Sequence, residues 1–121
     1  MPPSATVHAA PARPPLTDAE LQAIIGRIVA KFNPRRIFVF GSYARGDWQE
    51  GSDLDLMVEL ETNLAPAARR VALRELLWPP PCGIDLLAYT PEEVEHYKDT
   101  VGMTLRTILR EGKVVYARPG A

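Results

Sequence analysis

A single cysteine, Cys82, leaves this chain unable to form an intrachain disulfide framework or a cysteine-based zinc knuckle. A lone thiol suits a reducing compartment, so the expected location is cytoplasmic. A basic excess is also missing: 14 Lys and Arg face 15 Asp and Glu, for a net charge of -1. A protein that grips nucleic acid mainly through its phosphates needs the opposite balance, which disfavours direct nucleic-acid binding and leaves only local basic clusters. No apolar run is long enough for a signal-peptide core or a membrane span, and no internal repeat is visible. His8 has no second ligand nearby, and His96 lacks the neighbours of a catalytic dyad, so both read as solvated.

What is present suits one domain. A chain of 121 residues can bury roughly two thirds of its unfolded surface. Residues 1–15 are rich in proline and alanine and read as a mobile, disordered tail, so the expected domain is 16–121. Thr17 and Glu20 form a capping box, and Leu21, Ile24, Ile25, Ile28, Val29 and Phe32 then recur on one helical face until Asn33-Pro34 stops the pattern. Ile37 to Phe40 is apolar on both faces, as in a central strand, and Gly41 ends it.

Leu54, Leu56, Val58 and Leu60 alternate with Asp53, Asp55, Met57 and Glu59, which predicts a strand with one buried face. Ala68, Val71, Ala72 and Leu76 predict a helix from Pro66 to Trp78, with Arg69, Arg70 and Arg74 as a solvated face or, second, a partner contact. Ile84 to Tyr89 predicts a third strand. A further helix is expected from the Thr90-Pro91-Glu92-Glu93 start, with Val94, Tyr97, Val101, Leu105 and Ile108 buried, up to Gly112. Val114 to Tyr116 reads as a last short strand or an edge segment. The fold class is therefore α/β or α+β, a mixed sheet flanked by helices.

The chemistry gathers at GSYARGDWQEGSDLDL, residues 41–56. Asp53 and Asp55 project to one side of a strand, where their carboxylates can converge to about 4–5 Å. At an effective dielectric near 20, that repulsion is roughly 3–4 kcal/mol. Either water or a cation must relieve it. Gly41-Ser42, ending a strand and opening a short helical turn, offers backbone N–H groups and a hydroxyl suited to phosphate. Asp85 can join the other two acids if its strand lies beside theirs. Arg45 is a candidate phosphate contact, or an ion-pair partner of Asp47 or Asp53; Ser52 caps the turn or touches the nucleotide; Trp48 stacks a base or packs a loop. D-x-D also occurs in haloacid-dehalogenase-like phosphatases and in glycosyltransferases, but the phosphatase pattern places its acids just past a strand, and here the strand continues.

Gly41-Ser42, ten residues and Asp53-Leu54-Asp55 resemble the GS-x10-D-x-D signature of the DNA polymerase β-like nucleotidyltransferase superfamily, and of its minimal (MNT) branch in particular. The resemblance runs from about Leu16 to Tyr116 and includes GIDLLAYT and ILREGKVVY. It implies that Asp53 and Asp55 bind two Mg²⁺ ions, and that Asp85 shares one and helps deprotonate the attacking hydroxyl. Gly41 and Ser42 would hold the β and γ phosphates of ATP, and AMP would be transferred with release of pyrophosphate.

Larger members of that superfamily carry added helical domains for their acceptors, so the resemblance implies an acceptor held by a partner. Minimal MNT proteins pair with HEPN-domain proteins as antitoxin and toxin. The implied role is therefore an antitoxin that adenylylates a tyrosine of a HEPN ribonuclease within a hetero-oligomer. Two other readings stay open: neutralisation of the partner by binding alone, and nucleotidyl transfer to RNA or a small molecule.

Overall fold

The computed structural model describes residues 16–47 and 51–120; the tail with His8, and Trp48, lie outside the described residues. Helix α1 (Asp18–Phe32) begins at the capping box, in which Thr17 Oγ1 accepts from Glu20 N–H and Glu20 Oε1 accepts from Thr17 N–H. Leu16 and Leu21, at the two positions of a hydrophobic staple, sit in the same core cluster. Such a cap contributes about 1 kcal/mol, whereas each buried aliphatic side chain contributes about 1.5–3 kcal/mol. Packing of Leu21, Ile24, Ile25 and Ile28 on the sheet therefore dominates the stability of α1. Asn33, left-handed at φ 46°, ends the helix before Pro34.

Strand β1 (Arg36–Phe40) leads directly into the one-turn helix α2 (Gly41–Arg45), and β2 (Leu54–Glu59) returns antiparallel to β1. Helix α3 (Pro66–Leu76) crosses over to β3 (Ile84–Tyr89), which runs parallel to β2. Helices α4 (Pro91–Tyr97) and α5 (Thr104–Glu111) follow, and β4 (Lys113–Ala117) closes the far edge antiparallel to β1. The order is β3-β2-β1-β4, a mixed sheet as expected.

Both faces of this sheet are covered. Ile37, Val39, Leu54, Leu56, Val58, Leu86 and Ala88 pack with α1 and with Leu73 and Leu77. Phe38 and Met57 pack on the other face with Val94, Leu105 and Ile108. The alternation in β2 predicted one buried face, yet Met57 and Glu59 are buried as well, because α4 and α5 lie over them and Arg36 Nε bonds Glu59 Oε1 at 2.6 Å.

Two helical expectations need correction. The single helix expected from Thr90 to Gly112 is two, separated by residues 98–103; Gly102 has φ +89°, which the interior of a right-handed helix does not admit, and Val101 is 81% exposed rather than buried. On α3, the buried residues are Arg69 and Leu73, while Val71 is exposed. Arg69 tolerates burial because its guanidinium donates to Leu64 O at 2.8 Å, Ala88 O at 3.2 Å and the Glu93 carboxylate at 2.7 and 3.2 Å. Glu93 is at the same time the N3 member of the Thr90 capping box, so one carboxylate ties α3 to the start of α4.

Candidate active site

Three strand ends build the site. Phe40, the last residue of β1, lies opposite Asp55 in the antiparallel ladder, and Asp55 lies opposite Asp85 in the parallel one. Neighbouring strands are about 4.7–4.9 Å apart, so the α2 turn, Asp55 and Asp85 follow one another across the sheet. Period-2 alternation puts Asp55 on the face of buried Met57, and Asp85 on the face of Leu87, which packs with the same cluster. The three acids expected to gather, Asp53, Asp55 and Asp85, do share one region.

Electrostatics agree. Burial pushes the Asp55 carboxyl above the usual carboxylate range, and the charges of Asp85 and Asp53 push it further, while Arg45 pulls it back. Asp53 and Asp85 are exposed, whereas Asp55 between them is half-buried.

Two glycines leave the room that two of these carboxylates occupy. Gly41 has φ +69°, and a Cβ there would collide with Asp55 Oδ2 and lie 3.1 Å from its Cγ. Gly83, just before β3, approaches Asp53 in the same manner: a Cβ would collide with Oδ1 and lie 3.0 Å from Cγ. The Gly83 carbonyl also accepts from Leu54 N–H at 2.9 Å, which extends the β2–β3 ladder to the acids. Gly41 was legible in the sequence as a strand-to-turn signal. Gly83 was missed, since a glycine before a strand carries no sign of what it touches until the strands are paired.

Gly83→Ala is expected to push the Asp53 carboxylate aside at little cost in stability, because a flexible side-chain end is what must move. A displacement near 1 Å at a reacting centre costs on the order of 100-fold in rate. Activity measured beside a thermal melt checks this, with a large activity loss and a nearly unchanged melting temperature as the expected pair.

Ser42 is the second residue of α2, half-buried beside Gly41, and Ser52 is half-buried in the segment before β2. Arg45 takes the ion-pair alternative: its Nε bonds Asp47 Oδ2 at 3.1 Å, with both side chains exposed, a contact worth about 0–1 kcal/mol. Tyr43 packs against the core, where burial raises its hydroxyl pKa.

The acids offer hard oxygen donors on adjacent strands, with unbalanced negative charge at Asp55, which suits a divalent cation of the Mg²⁺ type. Among the described residues no three His, Cys, Asp or Glu side chains close into a metal-ligating group, so the carboxylates share a region without converging on one point. Beside Asp85, a cleft of about 420 Å³ opens between β3 and α3, lined by Arg70, Val71 and Arg74 on one side and Phe40, Leu87 and Thr104 on the other.

Comparison with known proteins follows the same lines. Residues 21–115 match the family model of the nucleotidyltransferase domain. A Methanocaldococcus jannaschii protein with the provisional name of a protein adenylyltransferase is 49% identical over 37 residues, a stretch covering 31% of this chain and 37% of that relative. The match therefore spans little more than a third of the relative's length. A Sulfolobus solfataricus crystal structure, provisionally named a nucleotidyltransferase, superposes with a TM-score of 0.59 at 18% identity, covering 85% of this chain and 82% of that one. A solved toxin–antitoxin complex with AMP-PNP superposes with a TM-score of 0.57 at 20% identity, covering 84% and 74%. At such identities the two structures show a shared fold.

Proposed function

Because this chain belongs to the nucleotidyltransferase domain family, we propose that it is an antitoxin that transfers AMP from ATP to a tyrosine hydroxyl of a HEPN ribonuclease toxin, its partner in a hetero-oligomer. The observation that carries this reading is the register that sets Asp55 between the Gly41-Ser42 turn and Asp85. The provisional adenylyltransferase name of one relative and the toxin–antitoxin assembly of a fold neighbour support it.

In this reading the N–H groups and hydroxyl of the α2 turn hold the β and γ phosphates, and Arg45 adds positive charge beside them. Two Mg²⁺ ions, held by Asp53 and Asp55 with Asp85 sharing one, would neutralise the triphosphate and the departing pyrophosphate. Gly41 and Gly83, having no side chain, leave space for the Asp55 and Asp53 carboxylates. Asp85, exposed at the strand next to Asp55, takes up the acceptor's proton as the hydroxyl oxygen bonds the α-phosphorus. The bond from that phosphorus to the bridging oxygen breaks, and pyrophosphate leaves with its electron pair.

Incubation with ATP labelled at the α-phosphate, Mg²⁺ and a HEPN-type partner tests this, and label on the partner tyrosine is the expected result. Label on RNA or a small acceptor would change the acceptor class. A partner silenced without any label would mean neutralisation by occlusion and would overturn the transfer reading.

A further inference from the structure

We propose that the groove running from Asp85 along α3 is the acceptor subsite, and that it takes an extended acidic peptide whose carboxylates pair with Arg70 and Arg74 while its hydroxyl residue enters at Asp85. This deepens the transfer reading above and rests on it.

Position comes first. The α2 turn lies on the β1 side of Asp55, and Asp85 lies on the β3 side. A triphosphate on the turn leaves the β3 side as the approach for the attacking group, and there the cleft of about 420 Å³ opens.

Charge comes second. Arg70 and Arg74 are one helical turn apart, exposed, and among the described residues neither forms an ion pair. Arg69, next to them on the same helix, is by contrast fully engaged by Glu93 and two carbonyls. Two guanidiniums that form no ion pair face the cleft beside Asp85, and Glu75, in the hollow that continues it, is not paired with Arg74 either, so both cations are open to an anionic occupant.

Shape and polarity come third. Arg74 and Val71 also line a second hollow, of about 200 Å³, with Glu75 and Trp78, so the groove continues along the helix. Trp78 is 69% exposed and Val71 49%, which provides apolar contact between the charged points. From Ala67 to Leu76 the helix rises about 14 Å, the span of roughly four residues of extended peptide. Two cations interleaved with Phe40, Val71, Leu87 and Trp78, with the carboxylates of Asp85 and Glu75 at either end, suit spaced acidic and apolar side chains and repel a continuous phosphate backbone.

Two fluorescent hexapeptides, each with one central tyrosine and flanked by either glutamates or lysines, provide the test by anisotropy with the full chain. Wild type is expected to bind the glutamate peptide at least about tenfold more tightly than the lysine peptide. Arg70→Gln/Arg74→Gln should erase the preference and Arg70→Glu/Arg74→Glu should reverse it, with melting curves showing both variants folded. Equal binding of the two peptides by wild type, or a preference unchanged in the charge-reversed variant, overturns the proposal. An RNA oligonucleotide of equal charge that displaces the glutamate peptide overturns the peptide class. If the preference is present yet labelled ATP marks no peptide or partner, the transfer reading fails and the groove stands.

Discussion

Asp55→Asn is expected to reduce the proposed AMP transfer by on the order of 1000-fold, the scale of losing a preorganised electrostatic group, while the metal-free protein melts at the same temperature as wild type or higher. The second half follows from the direction of the Asp55 shift. Its carboxyl titrates above the usual range because of burial first, then Asp85 and Asp53. A carboxyl raised in the fold holds its proton more tightly there than in the unfolded chain. Folded stability therefore declines as pH rises through the folded value, and above it the ionised carboxylate carries the full cost. Asparagine keeps the shape against Gly41 and removes that charge. Thermal melts with and without Mg²⁺ plus ATP check both halves: wild type should gain stability from the pair by ligand linkage, and the variant should gain little. A metal-free variant melting well below wild type would mean that the acid is structural.

The largest stability effect is expected at Arg69→Ala, with a loss of about 3 kcal/mol, the lower end of what breaking a buried ion pair costs. The Arg69 side chain is 7% exposed and that of Glu93 29%, so the carboxylate left behind keeps some access to water. Removing the guanidinium strands the Leu64 and Ala88 carbonyls as well as Glu93. Urea denaturation measures the loss, and Arg69→Met with Glu93→Leu should recover part of it, because no charge is then left unpaired. The pair also leaves a mark on acid stability. Hydrogen bonding to Arg69 lowers the Glu93 pKa from 4.5. Its contribution is thus present above the unfolded value and lost as pH falls through the folded one. In Arg69→Ala, the fall of stability below about pH 4.5 should be shallower than in wild type, and a slope unchanged by the substitution would contradict the linkage.

Where the chain's signals are local, they are legible in the sequence. Both capping boxes, Thr17 with Glu20 and Thr90 with Glu93, form as the residue types demand. The helical face of α1 and the strand character of β1 follow from side-chain periodicity alone. Arg69 was not legible as a buried residue, because its burial depends on a carbonyl of β3 and a carboxylate of α4, 19 and 24 residues away. The break at 98–103 is masked in the sequence because Val94, Tyr97, Val101, Leu105 and Ile108 keep helical spacing across it, although Asp99, Thr100 and Gly102 favour turns. Met57 and Glu59 imitated the open face of a half-buried strand, since a thioether and a carboxylate read as polar until Arg36 and the covering helices are in place.

By itself the sequence determined that Asp53 and Asp55 stand at the start of one strand and that a glycine-serine turn follows another. Both depend on backbone geometry over a few residues. Only the tertiary structure decided that β3 lies parallel beside β2 with Asp85 level with Asp55, and that Gly83 abuts Asp53. Those relations depend on which strands pair and in what register, which is set by burying two opposite apolar faces between distant helices and is carried by no short stretch of residues.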